Sequence, residues 1–151
     1  MEIKLQNAEW LNFVEFNITG NNDYFNKCDP ESKFMDEDLF TIFAPCFERS
    51  NESFDYSGPT RYNLRNILPL QNELKKRYSE IEQLENIDGF KAFLLQFFMG
   101  NNFILELEKR DSDWEKEWKK YRDKLAEANM DLIRLIDKCI EEERVLWVVG
   151  Y

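Results

Sequence analysis

One amphipathic stretch constrains the fold more than any other feature of the chain. Between residues 112 and 143, apolar side chains recur every three or four positions. They are Trp114, Trp118, Tyr121, Leu125, Ala128, Leu132, Leu135 and Cys139. This spacing is typical of one face of an α-helix, because side chains three and four residues apart lie on the same side. Ser112 followed by Glu115 has the pattern of a capping box, which predicts that the helix begins there.

The clearest strand signal lies near the C-terminus, where residues 145–149 read Val-Leu-Trp-Val-Val. β-branched and aromatic residues favour strands, and a strand at this place needs a partner. We expect the partner in the N-terminal segment, where residues 3–5 alternate as in an edge strand and residues 10–16 fit either a strand or a short helix. We also expect Trp147 and Val149 to pack against the helices.

Two further helices can be predicted from their start signals. Asp36 suits the N-cap of a helix over residues 37–44, and Pro45 then either kinks that helix or starts another. Pro69 suits the first turn of a second helix, whose apolar face continues to about residue 85. These signals predict helices in the middle of the chain that can pack along the long one.

A shorter helix follows, and the segment between residues 54 and 63 predicts a loop. Asp88 suits the N-cap of the helix, and Gly100 suits its end, where the backbone often needs a positive φ. Asn101 or Asn102 then suits the cap of a brief segment. Residues 54–63 are aromatic and turn-rich, so we expect an ordered loop whose aromatic side chains pack into the core.

Together these patterns predict a mostly α fold. A chain of 151 residues is long enough to bury a real core, and we expect residues 1–151 to form a single domain. We predict a helical bundle around the long C-terminal helix, with a small β-sheet joining the N- and C-terminal segments. The sheet makes the class α+β at the margin.

Composition restricts the chemistry that the chain can perform. Histidine is absent, so the commonest acid–base group near neutral pH and the commonest metal ligand are both missing. Cys28, Cys46 and Cys139 match neither a zinc nor a redox spacing, and we interpret them as buried free thiols. The N-terminus lacks a signal-peptide pattern, and no apolar stretch approaches the length of a membrane span. These observations predict a cytoplasmic protein that is not an enzyme and has no cofactor, metal site or membrane partner.

The charge is strongly negative and unevenly distributed. Residues 1–55 contain 12 acidic and 4 basic side chains, whereas residues 56–151 contain 18 and 16, within a total net charge of −10. Six of the acids lie close together in the sequence, and they are Asp23, Asp29, Glu31, Asp36, Glu37 and Asp38. Such a balance disfavours nucleic acid as a partner. The six acids either keep a small protein soluble or form a surface that receives a basic protein.

A second candidate site lies around a glycine–proline turn. Tyr56, Arg61 and Tyr62 flank residues 58–59 and are a candidate pocket, in which Arg61 binds a small anion. The alternative is a structural turn in which Arg61 pairs with a carboxylate. The sequence leaves both interpretations open.

Three classes of function are compatible with these features. The first is a cytoplasmic inhibitor that binds a basic protein stoichiometrically, such as the immunity protein of a bacterial nuclease toxin. The second is a small-ligand-binding or enzymatic helical domain that uses the pocket at Arg61 and Tyr62. The third is a scaffold that forms a homodimer through an exposed seam on the first half of the long helix.

Overall fold

A computed structural model describes residues 1–7 and 12–150 of the chain. Within them it has an α+β fold, with five helices and one four-stranded antiparallel sheet. In chain order the elements are β1 (Phe13–Asn17), β2 (Lys33–Asp36), α1 (Glu37–Ser50), β3 (Pro59–Tyr62), α2 (Leu64–Glu82), α3 (Ile87–Leu95), α4 (Gly100–Arg110), α5 (Trp118–Glu141) and β4 (Leu146–Gly150). The strands lie in the order β2-β1-β4-β3, so β1 and β4 are the two inner strands. The expected sheet between the two ends of the chain is confirmed, and it is larger than expected.

The two faces of the sheet have different environments. On the inner face, Val14, Phe16, Leu146 and Val148 belong to the hydrophobic core that the helices cover. Trp147 lies on the outer face, where its ring stacks on Phe25 of the β1–β2 loop at 5.0 Å between centroids. The expected packing of Trp147 and Val149 against the helices was therefore wrong, because strand alternation places Leu146 and Val148 there instead.

The helix over residues 37–44 is confirmed and continues further than expected. Asp36 is its N-cap, with its side chain accepting a hydrogen bond from the backbone N–H of Asp38 at 3.1 Å. α1 runs through Pro45 and ends at Ser50, so the proline lies inside this helix and does not start another. α2 lies between α1 and α5 and contacts both.

The long helix begins six residues later than its capping-box pattern predicted. Residues 112–117 form turns, and α5 begins at Trp118. The Asp111 side chain accepts hydrogen bonds from the backbone N–H of Asp113 at 2.9 Å and from the Tyr121 hydroxyl at 2.8 Å. These bonds favour a turn over a helical start, since short polar side chains compete with the helix for backbone donors. Trp114 remains buried from its place in the turn.

Three other helix boundaries also differ from the sequence expectation. α2 begins at Leu64 with Asn63 as its cap, so Pro69 lies inside the helix. The cap of α3 is Asn86 rather than Asp88, and its side chain accepts from the N–H of Gly89 at 2.8 Å. Gly100 begins α4 and does not have a positive φ. Its lack of a side chain is needed for packing, because a Cβ there would lie 1.8 Å from the Leu94 carbonyl oxygen.

Two segments with weak signals also differ. Residues 54–63 include strand β3, although Phe54 and Tyr56 do pack against the core as expected. Residues 3–5 form no strand, and the edge position belongs to β2, which Gln6 meets in a single bridge to Phe34. Of residues 10–16, the structure shows strand from Phe13, while residues 10 and 11 lie outside the described part.

Two cysteines are buried as predicted and one is not. Cys46 and Cys139 are buried free thiols. Cys28 is exposed on the β1–β2 loop, so its interpretation as a buried thiol was wrong. Its backbone φ of 52° is left-handed, which is typical of a tight turn at the surface.

Candidate functional site

The β1–β2 loop is folded over the outer face of the sheet and is fixed there by two buried polar side chains of β1. Glu15 accepts hydrogen bonds from the N–H of Cys28 at 2.9 Å and from the hydroxyl of Ser32 at 2.6 Å. Asn17 donates to the Asn26 carbonyl at 2.7 Å. Both side chains are fully buried. Glu15 therefore contributes to the acidic count of the N-terminal third but stabilises the loop, and it is not available to a partner.

Three of the six candidate acids lie on this loop. Asp23 and Glu31 are exposed, and Asp29 is partly buried. Glu31 forms an ion pair with Arg144 at 3.3 Å, which reduces its charge toward a partner. The Asp29 carboxylate accepts the N–H of Glu31 at 2.9 Å and thereby shapes the turn. Asp29 and Glu31 thus have structural partners as well as charge.

The other three acids lie at the opposite end of β2, where α1 begins. Strand pairing places Asp36 beside Phe13, whereas Lys33, next to the loop, pairs with Phe16. The six acids therefore form two sets at the two ends of the strand. Asp36 caps α1 and forms an ion pair with the amino group of Met1 at 3.7 Å.

The carboxylates at the start of α1 repel one another. Burial raises the pKa of Asp38 above its ordinary value, and the charges of Asp36 and Glu106 raise it further, while the amino group of Met1 and Lys109 lower it. Burial is the largest cause of this rise, and repulsion by the two neighbouring carboxylates adds to it. Within the described residues, neither Glu37 nor Asp38 forms an ion pair.

A third carboxylate of α1 belongs to the same surface. Glu37 and Glu48 are 11 residues apart, which places them on one side of the helix about 16 Å apart along its axis at 1.5 Å per residue. The Tyr56 side chain is close enough to both for their charges to affect its pKa. Burial raises its pKa to about 12, with the charges of Glu37, Asp38 and Glu48 contributing in the same direction. We call Glu37, Asp38 and Glu48 the α1 carboxylates.

A groove of about 400 Å³ lies beside the α1 carboxylates, between α1 and the turn that joins α3 to α4. We call it the α1 groove. Its lining includes Thr41, Pro45, Glu48, Tyr56, Phe97 and Phe98. Phe97 is buried and its ring contacts the Arg77 guanidinium at 4.6 Å from the ring centroid. Phe98 next to it is 92% exposed, the most exposed of the large apolar side chains that the structure describes.

Glu48 and Phe98 are not among the site residues expected from the sequence. Glu48 could have been found, because residues 37, 41, 45 and 48 follow the helical spacing of one face through Pro45. Phe98 could not, since the apolar pattern of residues 90–98 predicts that every aromatic side chain there faces the core.

Tyr56, Arg61 and Tyr62 do not form the pocket that was a candidate in the sequence. Arg61 and Tyr62 are consecutive on β3 and therefore point to opposite faces of the sheet. Tyr62 is fully buried, and its hydroxyl donates to the Phe47 carbonyl at 2.7 Å. Burial, with the charge of Glu48 acting in the same direction, raises the pKa of Tyr62 far above its ordinary value. The Arg61 guanidinium donates instead to the Asn22 carbonyl of the β1–β2 loop. Tyr56 lines the α1 groove.

The seam of the long helix is part of the core. Trp118, Tyr121 and Leu125 are all buried within the chain, at 8%, 8% and 0% exposure. This part of α5 therefore does not offer the exposed seam that a homodimer scaffold would use. Among residues 1–7 and 12–150, no group of three or more acidic or cysteine side chains is arranged to hold a metal ion.

None of the helices in the described part of the chain combines the length and apolarity needed to cross a bilayer. Comparison of the chain with protein-family models, with curated proteins and with solved structures found no match.

Proposed function

We propose that the protein binds a basic protein partner through the α1 carboxylates and acts as its stoichiometric inhibitor. The class of inhibitor that best fits is a cytoplasmic immunity protein, which neutralises a basic, nuclease-like bacterial toxin. This proposal rests on charge and geometry, since fold alone does not specify function.

The observation that carries the proposal is geometric: Glu37 and Asp38 are adjacent in the first turn of α1, and within the described residues neither forms an ion pair. Mutual repulsion of carboxylates costs stability, and a surface that needs charge only for solubility can spread its acids apart. Here burial raises the pKa of Asp38, and Asp36 and Glu106 are close enough for their charges to raise it further. A cationic partner relieves this repulsion when it binds, and complementary charge also accelerates its approach.

The two sets of acids contribute differently to this proposal. The loop acids Asp23, Asp29 and Glu31 lie at the other end of β2, and Glu31 is paired with Arg144. We assign them a secondary role in long-range attraction, which extends over about 10 Å at moderate salt. The α1 carboxylates form the contact surface itself.

A growth assay tests the proposal. An immunity protein and its toxin are expected in neighbouring reading frames, so the basic C-terminal domain encoded next to this gene is expressed under an inducible promoter. We expect growth to stop, and co-expression of the wild-type chain to restore it. A variant with Glu37→Lys and Asp38→Lys should restore growth poorly, while Asp36 is kept because it caps α1.

The matched control is Glu82→Lys with Glu85→Lys, two exposed acids at the end of α2 and just after it. This control has the same change in net charge, and we expect it to restore growth. Equal loss of protection by both variants would assign the effect to net charge alone. A toxic neighbour whose action the wild-type chain does not relieve would contradict the proposal.

A further inference from the structure

We infer that the α1 groove receives one aromatic or large aliphatic side chain from a basic segment of the partner, with cationic residues on both sides of that side chain. This inference rests on the proposed function and specifies the part of the partner that is recognised. It depends on three properties of the groove, namely an exposed aromatic wall, free acceptor groups and charge at both ends.

The exposed aromatic wall is Phe98. A phenylalanine that is 92% exposed forgoes most of the free energy that burial of its ring would provide. The turn that presents it is well ordered by backbone hydrogen bonds from Phe97 to Leu94 and from Gly100 to Phe97, at 3.2 and 3.0 Å. Phe98 is therefore exposed to solvent on a turn that backbone hydrogen bonds define. A ligand side chain that enters the groove would cover it.

The polar groups of the groove suit a ligand that donates hydrogen bonds. Pro45 has no N–H, so the carbonyl of Thr41 four residues earlier lacks its usual helical donor. Both residues line the groove, and Glu48 is the one charged side chain among the described lining residues. The groove thus offers a carbonyl, a carboxylate and the uncharged polar groups of Tyr56 and Gln96, but no cation among the described lining residues. Lysine, arginine and the indole N–H of tryptophan match this set, since all are donors.

The distance between the carboxylates determines how far apart the cations of the ligand should be. Glu37 and Asp38 lie at one end of the groove-facing side of α1 and Glu48 lies at the other, about 16 Å apart. An extended peptide covers this distance in roughly five residues at about 3.3 Å each. The recognised segment therefore has an apolar side chain at its centre and cations about two to three residues away in both directions.

The test uses a fluorescently labelled peptide of seven residues, with tryptophan at its centre, a serine on each side of it and two lysines at each end. A matched peptide has serine in place of the tryptophan. Binding of each to the full chain is measured by fluorescence anisotropy at about 20 and 200 mM salt, where screening differs strongly. We expect the tryptophan peptide to bind at least about tenfold more tightly than the serine peptide, a difference of 1.4 kcal/mol.

Three variants locate the binding. Phe98→Ser should abolish the tenfold advantage of the tryptophan peptide and leave the serine peptide unchanged. Glu48→Gln should weaken both peptides and reduce their dependence on salt. Leu68→Ser is the matched control, because Leu68 is also an exposed apolar residue, at 51%, and lies on α2 outside the groove lining. It should change neither affinity. All three residues have their side chains at the surface, so folding should be retained.

The outcomes separate this inference from the proposed function. If both peptides bind equally, and Phe98→Ser has no effect while Glu48→Gln does, the groove inference is wrong and the charge-based function stands. If neither peptide binds and the growth assay also fails, both are wrong. If the wild-type chain is a dimer that Phe98→Ser converts to a monomer, a second copy occupies the groove and the inference is overturned.

Discussion

At the scale of a single residue, Asp38 is an acid whose ionised form opposes the stability of the fold. An acid in the first turn of a helix normally interacts favourably with the helix dipole. Here burial and the charges of Asp36 and Glu106 outweigh that effect, because the net pKa is raised. The ionised carboxylate is therefore less favourable in the folded protein than in the unfolded chain.

We predict that Asp38→Asn raises the melting temperature at pH 7. Since the folded-state pKa is above the unfolded value, the cost of ionising Asp38 is present above the folded pKa and disappears below the unfolded value of about 3.9. The gain in melting temperature should therefore vanish near pH 3. Thermal unfolding of both proteins across this range is the measurement. Asp23→Asn, at an exposed position on the loop, is the control and should change nothing. A lower melting temperature for Asp38→Asn at pH 7 would mean that the carboxylate stabilises the fold.

Single residues also show where sequence reasoning succeeded and failed. The Asp36 cap was predictable because the hydrogen bond that defines it is local and reaches only to Asp38. The role of Glu15 was not predictable, because its hydrogen-bond donors Cys28 and Ser32 lie 13 and 17 residues further along the chain. A carboxylate counts as surface charge in a sequence until its burial is known.

At the scale of elements, β4 is an inner strand of the sheet and also contributes to the core. It pairs with β1 on one side and β3 on the other, and it contributes Leu146 and Val148 to the core. Its existence was predictable from β-branched composition. Strand β3 was not predictable, because its alternation of exposed and buried residues is only four residues long and follows a turn. The start of α5 was misplaced for a related reason, since Asp111 stabilises a turn by a bond that the helical periodicity does not reveal.

We predict that deletion of residues 145–151 causes unfolding or aggregation. Without β4, the strands β1 and β3 lose their shared partner and expose free edges, which favour association between chains. Size-exclusion chromatography and thermal unfolding of the truncated chain are the measurements. The point variant Val148→Ala keeps the strand and should cost only about 1 to 2 kcal/mol of the free energy of unfolding. A monomeric truncation with an unchanged melting temperature would show that β4 is dispensable.

At the scale of the whole molecule, the sheet and α1 together determine where the acidic side chains lie on the surface. The sequence predicted an acidic N-terminal third, but not its division into two sets at the two ends of β2. It also did not predict that Glu106 of α4 would come close to Asp38, since contacts between distant segments depend on the tertiary fold. The groove was likewise unpredictable, because its walls come from α1 and from the α3–α4 turn.

The most direct test of the central claim is stopped-flow association of the basic partner domain with the wild-type chain and with the Glu37→Lys, Asp38→Lys variant at low and high salt. Attraction by the α1 carboxylates predicts a wild-type rate that falls steeply as salt rises, and a variant rate that is at least about tenfold slower at low salt. The two rates should converge at high salt, where the charges are screened. Equal association rates for the two proteins at low salt would contradict the account.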